Sequence, residues 1–427
     1  MERWSRADPQ LREVVWFALR CRALALLLQT VFNLLIPDHA ADAFSPPRLG
    51  PRGAWDALVE RLLGGLGRWD AEHFLFIAER GYLLEHNCAF LPLFPLGLRL
   101  LAGLLPWPVQ LQPRSRLLLA AALLNALLAA PAAAALLGLG RAVLWRPRQA
   151  FLAALLFSLS PAGVFMAAAY SESAFAVLAF SAMWQLEKGH SWLSGLLFAL
   201  AAGARANGLI NAGFLLYSHG KRFALQLQGG SAFPVLWKRA LSLASSAALL
   251  CAVTFLPFAL FQYYAYVRFC EPGTGLDHTV PEPLLQLARD KGYRVAGVAG
   301  AKPPWCSQRF PLVYSYIQDT YWNVGFLRYF ELRQIPNFLL ALPVTLLSSW
   351  AAWTYVSANP RHCLTLGLER SKSEERGKAR DGFCGPAAFV YVVHSTALLA
   401  FGFCCMHVQV GQGIPCGAGA VTAQQLG

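Results

Sequence analysis

Long apolar stretches recur along this chain and constrain its fold more than any other feature. A helix needs about 20 mostly apolar residues to cross the hydrocarbon core of a bilayer. Candidate crossings fall at nine places: 14–36, 89–105, 117–139, 150–170, 172–187, 193–217, 240–262, 337–357 and 387–407. The second and fifth are short for a full span. The pair 150–187, broken near Ser171-Glu172-Ser173, reads as two crossings or as a re-entrant hairpin. Charged residues make up only 14% of the 427, against roughly 25% in a soluble domain. So few charges cannot clothe a water-facing surface. The expected fold is an all-α polytopic membrane protein. Residues 1–409 form its membrane domain, and the Gly-rich tail 410–427 is expected to be disordered.

The formal charge is +13, from 36 Lys+Arg and 23 Asp+Glu. These cations lie between apolar runs, as in membrane flanks, and the basic and aromatic modules of nucleic-acid binders are missing. Short-loop Lys and Arg mark the cytosolic side. The N-terminal segment, 106–116, 218–239 and 358–386 all come out cytosolic on this count. Loop 140–149 disagrees: it carries Arg141, Arg146 and Arg148 yet falls on the far side. Two longer segments, 37–88 and 263–336, also fall on that far side. Loops of such length are seldom idle connectors.

Arg20 and Arg22 before the apolar Ala23–Ile36, then Ala41-Asp42-Ala43, look like a signal peptide. A leader cut after Ala43 exceeds the usual length of about 15–30 residues. The stretch is therefore expected to persist as the first crossing.

Candidate chemistry lies in three places. Within 68–82, helical spacing puts Asp70, His73 and Ile77 on one face. Asp70 suits a general base beside apolar groups, which raise a carboxylate pKa. Trp69, His73 and Arg80 are candidates for substrate contact, and the plainer reading is the polar face of an interfacial helix. Glu172 and Arg205 stand between apolar runs, where a charge is costly and faces a cavity or a partner. They suit a lipid-phosphate cavity, or a simple pair with each other. In 314–323, Asp319 and Trp322 suit sugar binding, within what also reads as an interfacial aromatic belt.

The 10 Cys show no metal-ligand spacing. Cys88, Cys270 and Cys306 fall in far-side loops, where the sequence allows a disulfide without choosing the pair. No D-x-D occurs. A membrane sugar transferase without one can use a lipid monophosphate donor and needs no metal.

At RWDAEHFLFIAERGY the chain resembles the GPI mannosyltransferase 2 family. The likeness continues through FLPLFPL, LSPAGVF, AAYSES, PFALFQYYAY, PPWC and YSYIQDTYWNVGFLRYFELRQIPNFLLA, and spans about Arg12 to Val410. The resemblance implies a GT-C-type multi-span enzyme of the endoplasmic reticulum membrane with a lumenal site. It implies transfer of an α-1,6 mannose from dolichol-phosphate-mannose to a glycosylphosphatidylinositol precursor, without a cofactor. It further implies an acidic base in the first lumenal loop: Asp70, with Glu72 as the alternative. Arg80 and Arg205 are the candidates for neutralising the departing lipid phosphate. The tail departs from the family, whose members continue with further hydrophobic sequence. That departure puts the activity of this form in question. The rival readings are a lipid or sugar transporter or scramblase, which tends to show internal repeats absent here, and a non-catalytic membrane subunit.

Overall fold

The computed structural model describes residues 8–36, 43–106, 110–160, 163–228, 233–271, 280–298, 302–368 and 382–406. In chain order the first α-helices are α1 (Pro9–Leu35), α2 (Ala54–Leu63), α3 (Asp70–Arg80), α4 (Leu93–Leu104), α5 (Pro113–Leu144), α6 (Pro147–Ser158), α7 (Gly163–Ala167) and α8 (Glu172–Glu187). They are followed by α9 (Ser191–Ala204), α10 (Ala212–Gln228), α11 (Phe233–Cys270), α12 (Glu282–Lys291), α13 (Val313–Thr320), α14 (Ile335–Ala358), α15 (Pro360–Leu364) and α16 (Phe389–Cys405). Local sequence sets several starts. Asp8 accepts from Leu11 N at 3.2 Å ahead of α1, and proline occupies the first turn of α1, α5, α6 and α14, where its missing N–H costs nothing.

Among the described residues, five helices are long and apolar enough to cross a membrane: α1, α5, α11, α14 and α16. They leave large apolar side chains exposed, such as Leu28, Leu260, Leu340 and Trp353. That exposure suits lipid rather than water. Where helices meet, small residues line the seam. Ala132, Ala135, Ala176, Ala179 and Ala182 are buried between α5 and α8, and small side chains let helices approach closely in lipid. Gly138 is the extreme case, since a Cβ there would lie 2.5 Å from the Trp184 ring.

Ion pairs and hydrogen bonds fix which ends lie together. Arg141, at the end of α5, pairs with Asp8 at the start of α1. Gly382 N donates to Leu144 O at 2.8 Å, bringing the segment before α16 to the same end. At the opposite end, Arg114 pairs with Glu72, and Ser115 Oγ donates to Asp56 at 2.6 Å. The α5 start therefore sits with segment 43–88. The expected crossing at 89–105 is corrected. It is α4, a 12-residue helix only about 18 Å long, and the chain stays on one side of it. Removing that crossing reverses the side of the next loops. Residues 140–149 now lie with the N-terminus, so their arginines obey the charge bias that they broke in the nine-span reading. Arg114 sits at the far end, held by a carboxylate.

The stretches 150–170 and 172–187 form one helical hairpin. Its arms are α6 with α7, and α8. Glu187, at its return, accepts from Tyr391 OH of α16 at 2.7 Å. The stretch 193–217, read above as one crossing, is also a hairpin, broken at Arg205 into α9 and α10. Gln228 at its foot donates to Leu368 O at 2.9 Å, again at the N-terminal end. The arms formed by single helices, α8, α9 and α10, have 14 to 17 residues and reach about 21–26 Å, less than the hydrocarbon thickness of about 30 Å. Both hairpin tips therefore end inside the bundle. Gly208 permits the second tip, because a Cβ there would sit 2.7 Å from the Ala202 backbone.

The two longer segments pack on each other at the far end. Residues 84 and 295 form an isolated β-bridge. Cys270 and Cys306 are disulfide-bonded, with Cα atoms 5.6 Å apart and a sequence separation of 36. Cys88, the other candidate, is a buried free thiol. Closing a loop of that length contributes about 3–4 kcal/mol in the chain-entropy account. Replacing both cysteines with serine is expected to lower the melting temperature of the detergent-solubilised protein. An unchanged melt would show that the loop is held without the disulfide. The tail 410–427 and the motif Ala41-Asp42 lie outside the described residues.

Candidate active site

The first hairpin tip is pinned to the segment ahead of α3. Ala169 N donates to Leu66 O at 2.9 Å, and Tyr170 OH donates to Arg68 O at 3.3 Å. Asn125 of α5 donates to the carbonyls of Ala168 and Tyr170. Asn125 lies 12 residues into α5, about 18 Å from its start. The tip is thus recessed below the far-end surface.

Glu172 opens α8 at this tip, and Arg205 ends α9 at the other. The two are ion-paired, with side chains 10% and 22% exposed. Arg205 Nη1 also lies 3.5 Å from Ser171 Oγ. Glu172 Oε2 is buried with no hydrogen-bond partner among the described residues, so it can still accept a hydrogen bond from a hydroxyl.

Asp70, the first residue of α3, faces this pair. Its carboxyl reaches solvent, but protein encloses it on the remaining sides. That enclosure, reinforced by the negative charge of Glu172, pushes its pKa up to about 6, while Arg205 pulls the other way. A carboxylate tuned to this range can accept a proton near neutral pH. Trp69 precedes it with φ 57° and ψ −131°, a left-handed conformation that costs a side-chain-bearing residue energy and persists only where the surroundings impose it. The result is a Trp69 ring 66% exposed beside the carboxyl, free to cover a sugar face.

The structure thus brings Asp70 to the Glu172–Arg205 pair, leaves the exposed Trp69 next to Asp70 in the chain, and reassigns the other candidates. Glu72 is buried on a different face of α3, its two oxygens taken by Arg48, at 2.9 and 3.3 Å, and by Arg114. It ties α3 to α5 and is not open to substrate. Arg80 pairs with Glu79 at 3.0 Å, about 15 Å along α3 from Asp70. His73 is a core residue, stacked between Phe44 and Phe90 at 4.5 Å from each. Burial holds its pKa down to about 4, so the ring is neutral, and its Nδ1 lies 2.9 Å from Asn87 Oδ1. Trp322 packs edge-on against His73 and Phe90. Asp319 is ion-paired with Arg328 at the surface.

Sequence reasoning missed Asn125 and Glu85. Asn125, a lone amide within an apolar run, was a visible signal, because buried polar groups in membranes usually have a task. Glu85 is fully buried. It accepts from Trp305 Nε1 at 2.8 Å, Tyr321 OH at 3.1 Å and Arg294 at 3.4 Å. Nothing local in the sequence announces that hub. Among the described residues, no group of three or more His, Cys, Asp or Glu is arranged to hold a metal ion.

A family model described as mannosyltransferase (PIG-V) matches residues 11–418. The chain belongs to the PIG-V mannosyltransferase family. This mannosyltransferase is 60% identical to a rat protein named GPI alpha-1,6-mannosyltransferase 2, over 94% of the chain and 81% of the relative. The human protein of the same name is 57% identical over 94% and 80%. A Drosophila melanogaster GPI mannosyltransferase 2 is 31% identical over 93% and 86%. No solved structure matches the chain. The family makes it a membrane-embedded glycosyltransferase, and nothing in these relatives favours the transporter reading.

Proposed function

We propose that this enzyme transfers the second mannose, in α-1,6 linkage, from dolichol-phosphate-mannose to a glycosylphosphatidylinositol precursor. The reaction takes place at the lumenal face of the endoplasmic reticulum membrane. The observation that carries the reading is the solvent-reaching Asp70 carboxyl facing the partly buried Glu172–Arg205 pair at the hairpin tips. Relatives named GPI alpha-1,6-mannosyltransferase 2 supply the acceptor and linkage.

Asp70 removes the proton from the acceptor 6-hydroxyl. That oxygen bonds to the anomeric carbon as the bond from this carbon to the dolichyl phosphate oxygen breaks, with inversion. The bond pair leaves on the phosphate, and Asp70 later gives its proton to solvent. Arg205, held by Glu172, meets the negative charge of the departing phosphate, a role suited to a guanidinium. Trp69 covers the transferred sugar. The lipid monophosphate is itself the leaving group, so no cofactor enters and transfer is expected to persist in EDTA. The disulfide at this end, of a kind that forms in oxidising compartments, and the arginines at the opposite end support the lumenal placement.

The test is restoration of surface GPI-anchored proteins in cells lacking the second GPI mannosyltransferase. This chain is expected to restore them. A well-expressed chain that fails to do so, and whose membranes transfer no mannose from labelled dolichol-phosphate-mannose, overturns the reading.

A further inference from the structure

A second face of α3 closes a pocket that the chemistry at Asp70 does not use. Four guanidiniums enter it, those of Arg48, Arg52, Arg80 and Arg114, together with the carboxyls of Asp56, Glu60, Glu72 and Glu79. Formal charges cancel, but hydrogen bonds do not. Glu72 has both oxygens filled by Arg48 and Arg114. Asp56 accepts from Ser115 Oγ at 2.6 Å, Gln112 N at 2.9 Å and Gly53 N at 3.1 Å. Glu79 takes one bond from Arg80. Two of the four carboxyls are thereby consumed inside the wall.

The donors are in surplus. A guanidinium carries five N–H groups. Arg48 commits two of its nitrogens to Glu72, and Arg80 commits one to Glu79. Arg114 Nε is buried without a partner, and Arg52 makes no bond to any described residue. Arg48 is held in place by a buried carboxylate, so its remaining donors are pre-organised. Arg52, and the nitrogens of Arg80 that Glu79 does not take, remain available to close on a ligand. Glu60 opposes them, as its carboxyl receives no side-chain donor among the described residues.

We propose that this pocket binds a phosphate ester, with Arg48 as its fixed wall and Arg52 and Arg80 as its closing arms. A phosphate offers several oxygens to forked donors, where a carboxylate offers two. The site is separate from the leaving phosphate at Arg205, and its binding can be read without any mannose transfer.

The experiment follows thermal unfolding of the full chain in detergent against two probes, inorganic phosphate and a short-chain phosphatidylinositol, with a short-chain diacylglycerol as control. A saturable rise in melting temperature is expected with phosphate-bearing probes only. Protection by both probes identifies the phosphate group alone as sufficient, and protection by the lipid only identifies a headgroup. Arg52→Gln with Arg80→Gln is expected to weaken the apparent Kd at least about tenfold, and Glu60→Gln to tighten it. Asp70→Asn is expected to bind as the parent does, which keeps this outcome apart from any failure of the catalytic reading. No saturable shift with either probe, or an unchanged Kd in the double arginine variant, overturns the proposal.

Discussion

Asp70→Asn is expected to lower mannose transfer by at least about a hundredfold, the lower range for losing a positioned general base, while the protein still folds. The asparagine keeps the shape and cannot take a proton. Its folding follows from the sign of the pKa shift. The folded state holds the Asp70 proton more tightly than the unfolded chain, because burial and Glu172 push the pKa up to about 6. Ionising Asp70 therefore costs folding free energy above about pH 6, and that cost fades as the pH falls toward 4. A neutral asparagine escapes the cost, so the variant should melt no lower than the parent at pH 7.

The same shift fixes the pH profile. The base form is lost below about pH 6, so kcat/KM is expected to level off above that pH and fall about tenfold per unit below it. Glu172→Gln removes the nearby like charge and should move the acid limb to lower pH. Arg205→Gln removes the compensating cation and should move it upward. Limbs that stay put in both variants would show that another group titrates. Near-normal transfer by Asp70→Asn would remove Asp70 from the mechanism.

Glu85→Ala is expected to give the largest loss of stability, about 3–5 kcal/mol. The substitution strips the acceptor from Trp305 Nε1 and Tyr321 OH and the partner from Arg294. The abandoned Trp305 donor is fully buried, and such a donor costs about 1–3 kcal/mol; the half-exposed Tyr321 and Arg294 each lose a partner as well. Glu85→Gln retains an acceptor for the fully buried Trp305 indole and should lose less. The readout is the melting temperature of purified protein together with limited proteolysis of segments 43–88 and 280–334. Segments that stay protected in Glu85→Ala would mean that the disulfide and the Leu84–Val295 bridge hold them unaided.

The sequence by itself determined that this is a helical membrane protein, because too few charges separate its apolar runs. It also marked Glu172 and Arg205 as charges in costly places, and cost is a local property readable from neighbours, while Asp70 stood out by its helical spacing and by the family resemblance. Crossing number was not local. Whether 89–105 or 193–217 spans the bilayer depends on which distant groups hold its ends, and Arg114–Glu72 and Gln228–Leu368 settled that. The roles of charged and polar candidates were equally non-local. Glu72 and Asp70 sit two residues apart on one helix, yet one faces arginines from other elements and the other faces a recess. Only the meeting of two hairpin tips with α3 separated a structural carboxylate from an available one, because burial and partner charge, which set a carboxyl's chemistry, come from residues far away in the chain.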